Sequence, residues 1–189
     1  MHRHALSIVL VILCGACRHV ENTPVAVVNL IREVDRAEKR PPTGFEILTR
    51  EIDGKAHPSI VVPVPSRLTI PLPLPRRGRL STFAAIDPDG LRVPIRLRIG
   101  ISDDRVYESL TETILSPGDH RWTALGTDLS AYAGWKWSLF YRPERVMWRL
   151  VLAADAIGGA PTRALWGSPE ILADSESAKE YSTRRQRFR

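Results

Sequence analysis

Between Ser59 and Ser102 apolar and polar residues alternate with few breaks. Leu68, Ile70, Leu72 and Leu74 hold even positions, with Arg67, Thr69, Pro71, Pro73 and Pro75 between them. Val93, Ile95, Leu97, Ile99 and Ile101 hold odd positions, separated by Pro94, Arg96, Arg98 and Gly100. A period of two buries one face of a strand and wets the other, as antiparallel sheets do. Turn formers punctuate the runs at Pro75–Gly78 and Asp87–Gly90. Pro63, Pro65, Pro71, Pro73 and Pro75 are all odd-numbered. Proline has no N–H, so donors are lost from one side only, which predicts strands at a sheet edge. A polyproline II segment is the other reading of these prolines, and the regular Leu and Ile face argues against it.

The same patterning continues on both sides. It predicts strands over 45–51, 59–64, 67–74, 79–87, 92–102, 105–115, 121–126, 136–142, 147–154 and 164–172. Short strands at this spacing, with no helix of ordinary length between them, indicate an all-β antiparallel jelly-roll sandwich over residues 43–173. Before it, residues 17–42 read as a tether. Asn29 is placed to cap a short helix through Lys39, with Leu30, Val34 and Ala37 on one face. After it, residues 174–189 lack hydrophobic periodicity and read as a basic, disordered tail.

The first sixteen residues change the picture of where the protein resides. Arg3 supplies a positive charge, Ala5–Leu13 is unbroken and apolar, and Leu13-Cys-Gly-Ala-Cys17 follows. The apolar run is shorter than the about 20 residues a spanning helix needs. It reads as a signal peptide over 1–16. The closing residues resemble the lipobox of bacterial lipoproteins, although Cys14 stands where Leu is commonest. That resemblance implies lipidation at Cys17, an N-terminal lipid anchor in the bilayer and a cell-envelope address, the outer membrane in a Gram-negative cell. Cleavage after Ala16 as a plain secretory signal is the alternative. No cysteine follows Cys17, so the body of the fold holds no disulfide and no cysteine zinc site.

The formal charge is +6. Part of the excess lies in the tail, where five Lys/Arg face two Glu. A nucleic-acid-binding fold would concentrate such charge on its body, so no nucleic-acid partner is expected.

From Phe45 to Leu172 the order of features resembles the galactose-binding-domain-like jelly roll found upstream of sulfatase or alkaline-phosphatase-like domains in bacterial surface proteins. The telling pieces are Trp122, the run Asp128-Leu-Ser-Ala-Tyr-Ala-Gly134 leading into Trp137, and Trp166-Gly-Ser-Pro-Glu-Ile-Leu172. The resemblance implies a surface recognition module. The sulfatase chemistry does not carry over, because no enzyme domain and no further cysteine follow.

Candidate chemistry is sparse. Trp137 and Trp148 alternate with apolar neighbours and read as core. Tyr132 and Trp135 flank the Gly134 turn and are the candidate exposed platform for a sugar ring. Asp87, Asp89, Asp103 and Asp104 are candidate oxygen ligands for a structural calcium ion, and good turn residues besides. A triad drawn from Ser102, His120 and Asp128 lacks any nucleophile elbow, and no phosphate loop is present, so a non-enzyme is expected. The expected function is membrane-anchored, non-catalytic recognition of carbohydrate. The competing expectation is an envelope scaffold that docks another envelope protein, as a truncated relative of a sulfatase-linked chain would.

Overall fold

The structure, a computed structural model, describes residues 23–133 and 148–187. In chain order its elements are β1 (Val25–Asn29), a 3-10 helix (Leu30–Arg36), β2 (Glu38–Arg40), β3 (Glu46–Ile52), β4 (Lys55–Val64), β5 (Ser66–Leu72), β6 (Gly78–Ile86), β7 (Ile95–Ser102), β8 (Tyr107–Leu115), β9 (Thr123–Asp128), α1 (Ser130–Ala133), β10 (Trp148–Ala156), β11 (Thr162–Ala173) and α2 (Ser175–Arg187). They form two antiparallel sheets packed as a sandwich. One has the order β3-β4-β11-β6-β9, with β1 continuing beside β11 beyond the end of β4. The other has the order β2-β5-β10-β7-β8.

The alternating stretch is the backbone of this arrangement. β4 and β6 go to the first sheet, β5 and β7 to the second. The turns at Pro75–Gly78 and Asp87–Gly90 therefore carry the chain between sheets instead of closing hairpins. Even residues of β5 (Leu68, Ile70, Leu72) and odd residues of β7 (Ile95, Leu97, Ile99, Ile101) point into one core. Ile60, Val62, Leu80, Ala84, Ala164, Trp166 and Ile171 meet them from the first sheet. Each buried Leu or Ile contributes roughly 1.5–3 kcal/mol relative to exposure, which makes this face-to-face packing the main driving force.

The proline strands are not at an edge. β4 lies between β3 and β11, and β5 lies between β2 and β10. Their neighbours are short, however. β3 pairs only as far as Val61, and β2 covers only Arg67–Thr69. Pro63 and Pro71 lie beyond the last residue of those partners, where a missing N–H costs little.

The residues before Phe45 are part of the sandwich from Val25 onward. β1 pairs with β11, and β2 pairs with β5. Between them the Asn29 side chain accepts a hydrogen bond from Ile31 N–H at 3.0 Å and starts a 3-10 helix, shorter than the segment expected through Lys39. Leu30 and Val34 from this turn are buried in the main core.

Residues expected to be a tail also differ. Ser175–Arg187 is helical, and Tyr181 is buried against the core. Asp174 caps the helix, accepting from Ser177 N–H at 2.7 Å. Arg77 and Arg76 of the β5–β6 turn reach across to Asp174 and Glu180. The buried face is narrow, Ser177 and Tyr181 one turn apart, too thin a stripe to register as periodicity.

Candidate functional site

The outer face of the β2-β5-β10-β7-β8 sheet carries a groove, and its shape follows from pairing register. One row across the sheet reads Arg40, Arg67, Ala153, Arg98 and Glu112. Small Ala153 on the central strand is the floor, and the long arginines on either side are walls. The groove has a volume of about 570 Å³ and is also lined by Tyr107 and Asp155.

Tyr107 is seated on a glycine. A Cβ at Gly100 would lie 2.4 Å from the tyrosine ring, so only glycine admits the ring at this spot. The guanidinium of Arg67 stands 4.8 Å from the ring centroid. Tyr107 remains 36% exposed, an aromatic surface open to water beside hydrogen-bonding groups. Arg98 donates to Asp155 at 2.5 Å. That hydrogen bond is the main cause holding the Arg98 guanidinium above its ordinary pKa, against some desolvation. Around the rim, Arg40 pairs with Glu38, Arg96 with Glu112, and Arg149 with Glu38 and Asp104.

Tyr132 sits near one end of this sheet but is half-buried. Its ring meets Trp148 edge to face at 5.4 Å and packs against the main core. Burial, then a hydrogen bond to Glu108, raises its phenol pKa. Trp135, Trp137 and Cys17 lie outside the described residues.

The candidate calcium aspartates have other partners. Asp87 is fully buried and pairs with Arg50 at 3.4 Å and Arg163 at 3.1 Å. Asp89 pairs with Arg50 at 2.6 Å. Asp103 accepts from Arg105 and Val106 N–H, and Asp104 pairs with Arg149. Among the described residues no three His, Cys, Asp or Glu side chains converge as metal ligands would. Ser102, His120 and Asp128 likewise go separate ways: Ser102 Oγ accepts from Asp104 N–H, His120 contacts Arg92, and Asp128 accepts from Ser130 N–H.

The other sheet's outer face holds a second aromatic group. His57 stacks on Phe83 at 4.2 Å, meets Trp122 edge-on at 5.0 Å, and shares a hydrogen bond with Ser168 Oγ at 3.0 Å. Burial and nearby Lys55 lower the His57 pKa, so it favours the neutral form.

Tyr107 and Arg67 were not singled out from sequence, where Arg67 reads as an ordinary wet-face residue and Tyr107 only as part of the strand expected over 105–115. A signal was present: Gly100 interrupts the wet face of an otherwise regular strand, which marks a close approach by another group.

The fold is a jelly-roll sandwich, and its likeness to solved structures is at the level of fold. The structure is similar to the module TmCBM61, solved in complex with beta-1,4-galactotriose, at 8% identity and a TM-score of 0.50 over 78% of this chain and 97% of that one. Similarity extends to the CBM22-1 xylan-binding domain of Paenibacillus barcinonensis Xyn10C, at 12% identity and a TM-score of 0.48 over 74% of this chain and 86% of that one. It extends also to the CBM51-2 and INT domains of Clostridium perfringens ZmpB, at 14% identity and a TM-score of 0.44 over 74% of this chain. The chain spans 28% of the length of that Clostridium structure. No family model matches the chain, and no curated protein matches it.

Proposed function

We propose that this protein is a non-catalytic recognition module that binds carbohydrate in the groove on the outer face of the β2-β5-β10-β7-β8 sheet. The observation that carries the reading is the groove itself. It combines the flat Tyr107 surface with a donor–acceptor pair, Arg98 and Asp155, at its wall. Sugars need that combination, apolar ring faces stacking on an aromatic and hydroxyl groups hydrogen-bonding to charged side chains. The jelly-roll likeness supports the same reading at the level of fold.

The test is a glycan array probed with wild type, Tyr107→Ala and Trp135→Ala. Stacking contributes on the order of 1 kcal/mol per aromatic, so loss of Tyr107 weakens a real signal several-fold with the thermal midpoint kept. Trp135→Ala tests the second aromatic that the sequence offers, and unchanged binding by that variant leaves the Tyr107 reading standing. A wild type that binds no glycan but retains an envelope protein in a pull-down would move the assignment to a scaffold.

The anchor belongs to the same proposal. Lipidated Cys17 holds the module at the envelope membrane, since more than one acyl chain gives stable attachment. Cys17→Ala is expected to shift the protein from the membrane pellet to the soluble fraction. Equal retention in the pellet would refute the anchor and leave the binding reading untouched.

A further inference from the structure

We propose that the groove takes an anionic saccharide, a sugar bearing a carboxylate or a sulfate ester, and that Arg67 holds the anion. The inference rests on the carbohydrate reading above and narrows its ligand class.

Three guanidiniums line the groove, Arg40, Arg67 and Arg98, against one carboxylate, Asp155. Two of the three are neutralised within the protein. Arg40 reaches Glu38 at 2.6 Å, and Arg98 reaches Asp155 at 2.5 Å. Arg67 differs: among the described residues its contact is the Tyr107 ring. Its N–H donors are engaged by no carboxylate among the described residues.

Arg67 lies directly opposite Arg40 on β2, and opposite Ala153 with Arg98 on the strand beyond. Glu38 offsets Arg40 and Asp155 offsets Arg98, so Arg67 is the guanidinium of this row that no carboxylate among the described residues offsets. An anion in the groove would supply that partner. The guanidinium fork suits a planar carboxylate or a sulfate, and such charge-assisted bonds are about twice as strong as neutral ones. Gly100 and Tyr107 hold the fork in place before any ligand arrives, which lowers the ordering cost of binding.

The experiment is affinity electrophoresis of the full chain in gels containing polygalacturonate, dextran sulfate or neutral galactan, at near-physiological salt. The variants are Arg67→Gln, Arg67→Lys, Tyr107→Ala and the triple change Arg184→Gln, Arg185→Gln, Arg187→Gln. The triple variant controls for non-specific polyanion binding by the basic C-terminal segment. Thermal midpoints establish that each variant is folded. Wild type is expected to be retarded by at least one polyanion, and which one distinguishes carboxylate from sulfate. Arg67→Gln should weaken that retardation about ten-fold, as loss of a charged hydrogen bond does. Arg67→Lys should restore part of it, and the triple variant should behave as wild type. Undiminished retardation of Arg67→Gln, or retardation lost only in the triple variant, overturns the proposal. Retardation by neutral galactan alone, abolished in Tyr107→Ala, also overturns it but leaves the carbohydrate reading standing. No retardation by any of the three, with no array signal, sinks both.

Discussion

Asp87 shows how much one side chain holds in this fold. Its carboxylate is fully buried at the end of β6, gripped by Arg50 from β3 and Arg163 from β11. Those arginines lie on the face where Val61, Ala85 and Leu165 form a small outer apolar cluster. Removing one partner of a buried ion pair leaves uncompensated charge. Here the guanidiniums keep some access to water, so Asp87→Ala should cost about 2–3 kcal/mol in urea denaturation, below the full value for a closed site. Asp89→Ala, at an exposed carboxylate beside the same Arg50, should cost at most about 1 kcal/mol. Equal effects would mean that Asp87 is not the centre of the clasp. Gly100 makes the matching case in the groove. A methyl at this position collides with Tyr107, whose partial exposure lets the ring swing outward. Gly100→Ala should therefore lose glycan binding as fully as Tyr107→Ala, with a stability change under about 2 kcal/mol.

At the scale of elements, α2 is held by few contacts and should respond to both mutation and acid. Tyr181 is its main buried side chain, and Tyr181→Ala should cost about 2–4 kcal/mol, measured by chemical denaturation. Asp174 supplies the acid sensitivity. Hydrogen bonds from Ser177, its backbone N–H first and its side chain next, and then Arg77 hold the Asp174 carboxyl below its ordinary value of 3.8. An acid with a depressed folded pKa stabilises the fold above its unfolded value, and that contribution is lost as pH falls through the folded one. Helix docking should thus be constant near neutrality and weaken below about pH 4. Hydrogen exchange of the Ser177–Tyr181 amides, with Asp174→Asn as control, reads this directly. The variant should show weak protection at all pH values.

For the whole molecule the decisive question is where the folding unit begins. β1 closes against β11, β2 against β5, and Leu30 and Val34 are buried between the sheets. A chain starting at residue 23 should fold to a strand-rich, cooperatively melting domain. One starting at residue 43 loses two strands and a corner of the core, and should show poor amide dispersion or aggregate through the exposed edges of β5 and β11. Circular dichroism and an amide correlation spectrum of the two chains settle this. Equal quality from both would return residues 23–42 to the status of a tether.

The sandwich was legible in the chain because its signal is local. Alternation at Leu68–Leu74 and Ile95–Ile101 states which face is buried without reference to any partner, since side chains leave a strand on alternate sides. The Asn29 cap was legible for the same reason, a side chain serving a backbone group two residues away. The groove was not, because it depends on register between strands distant in sequence. Arg67, Ala153 and Arg98 become neighbours only when β10 inserts between β5 and β7. Asp87 read as a turn residue or metal ligand, and its role as a buried anion needed Arg50 and Arg163 brought from two other strands. Short strands such as β2, and the narrow buried face of α2, carry too few residues for a period to emerge. Their order comes from the surfaces they meet, which no stretch of their own sequence describes.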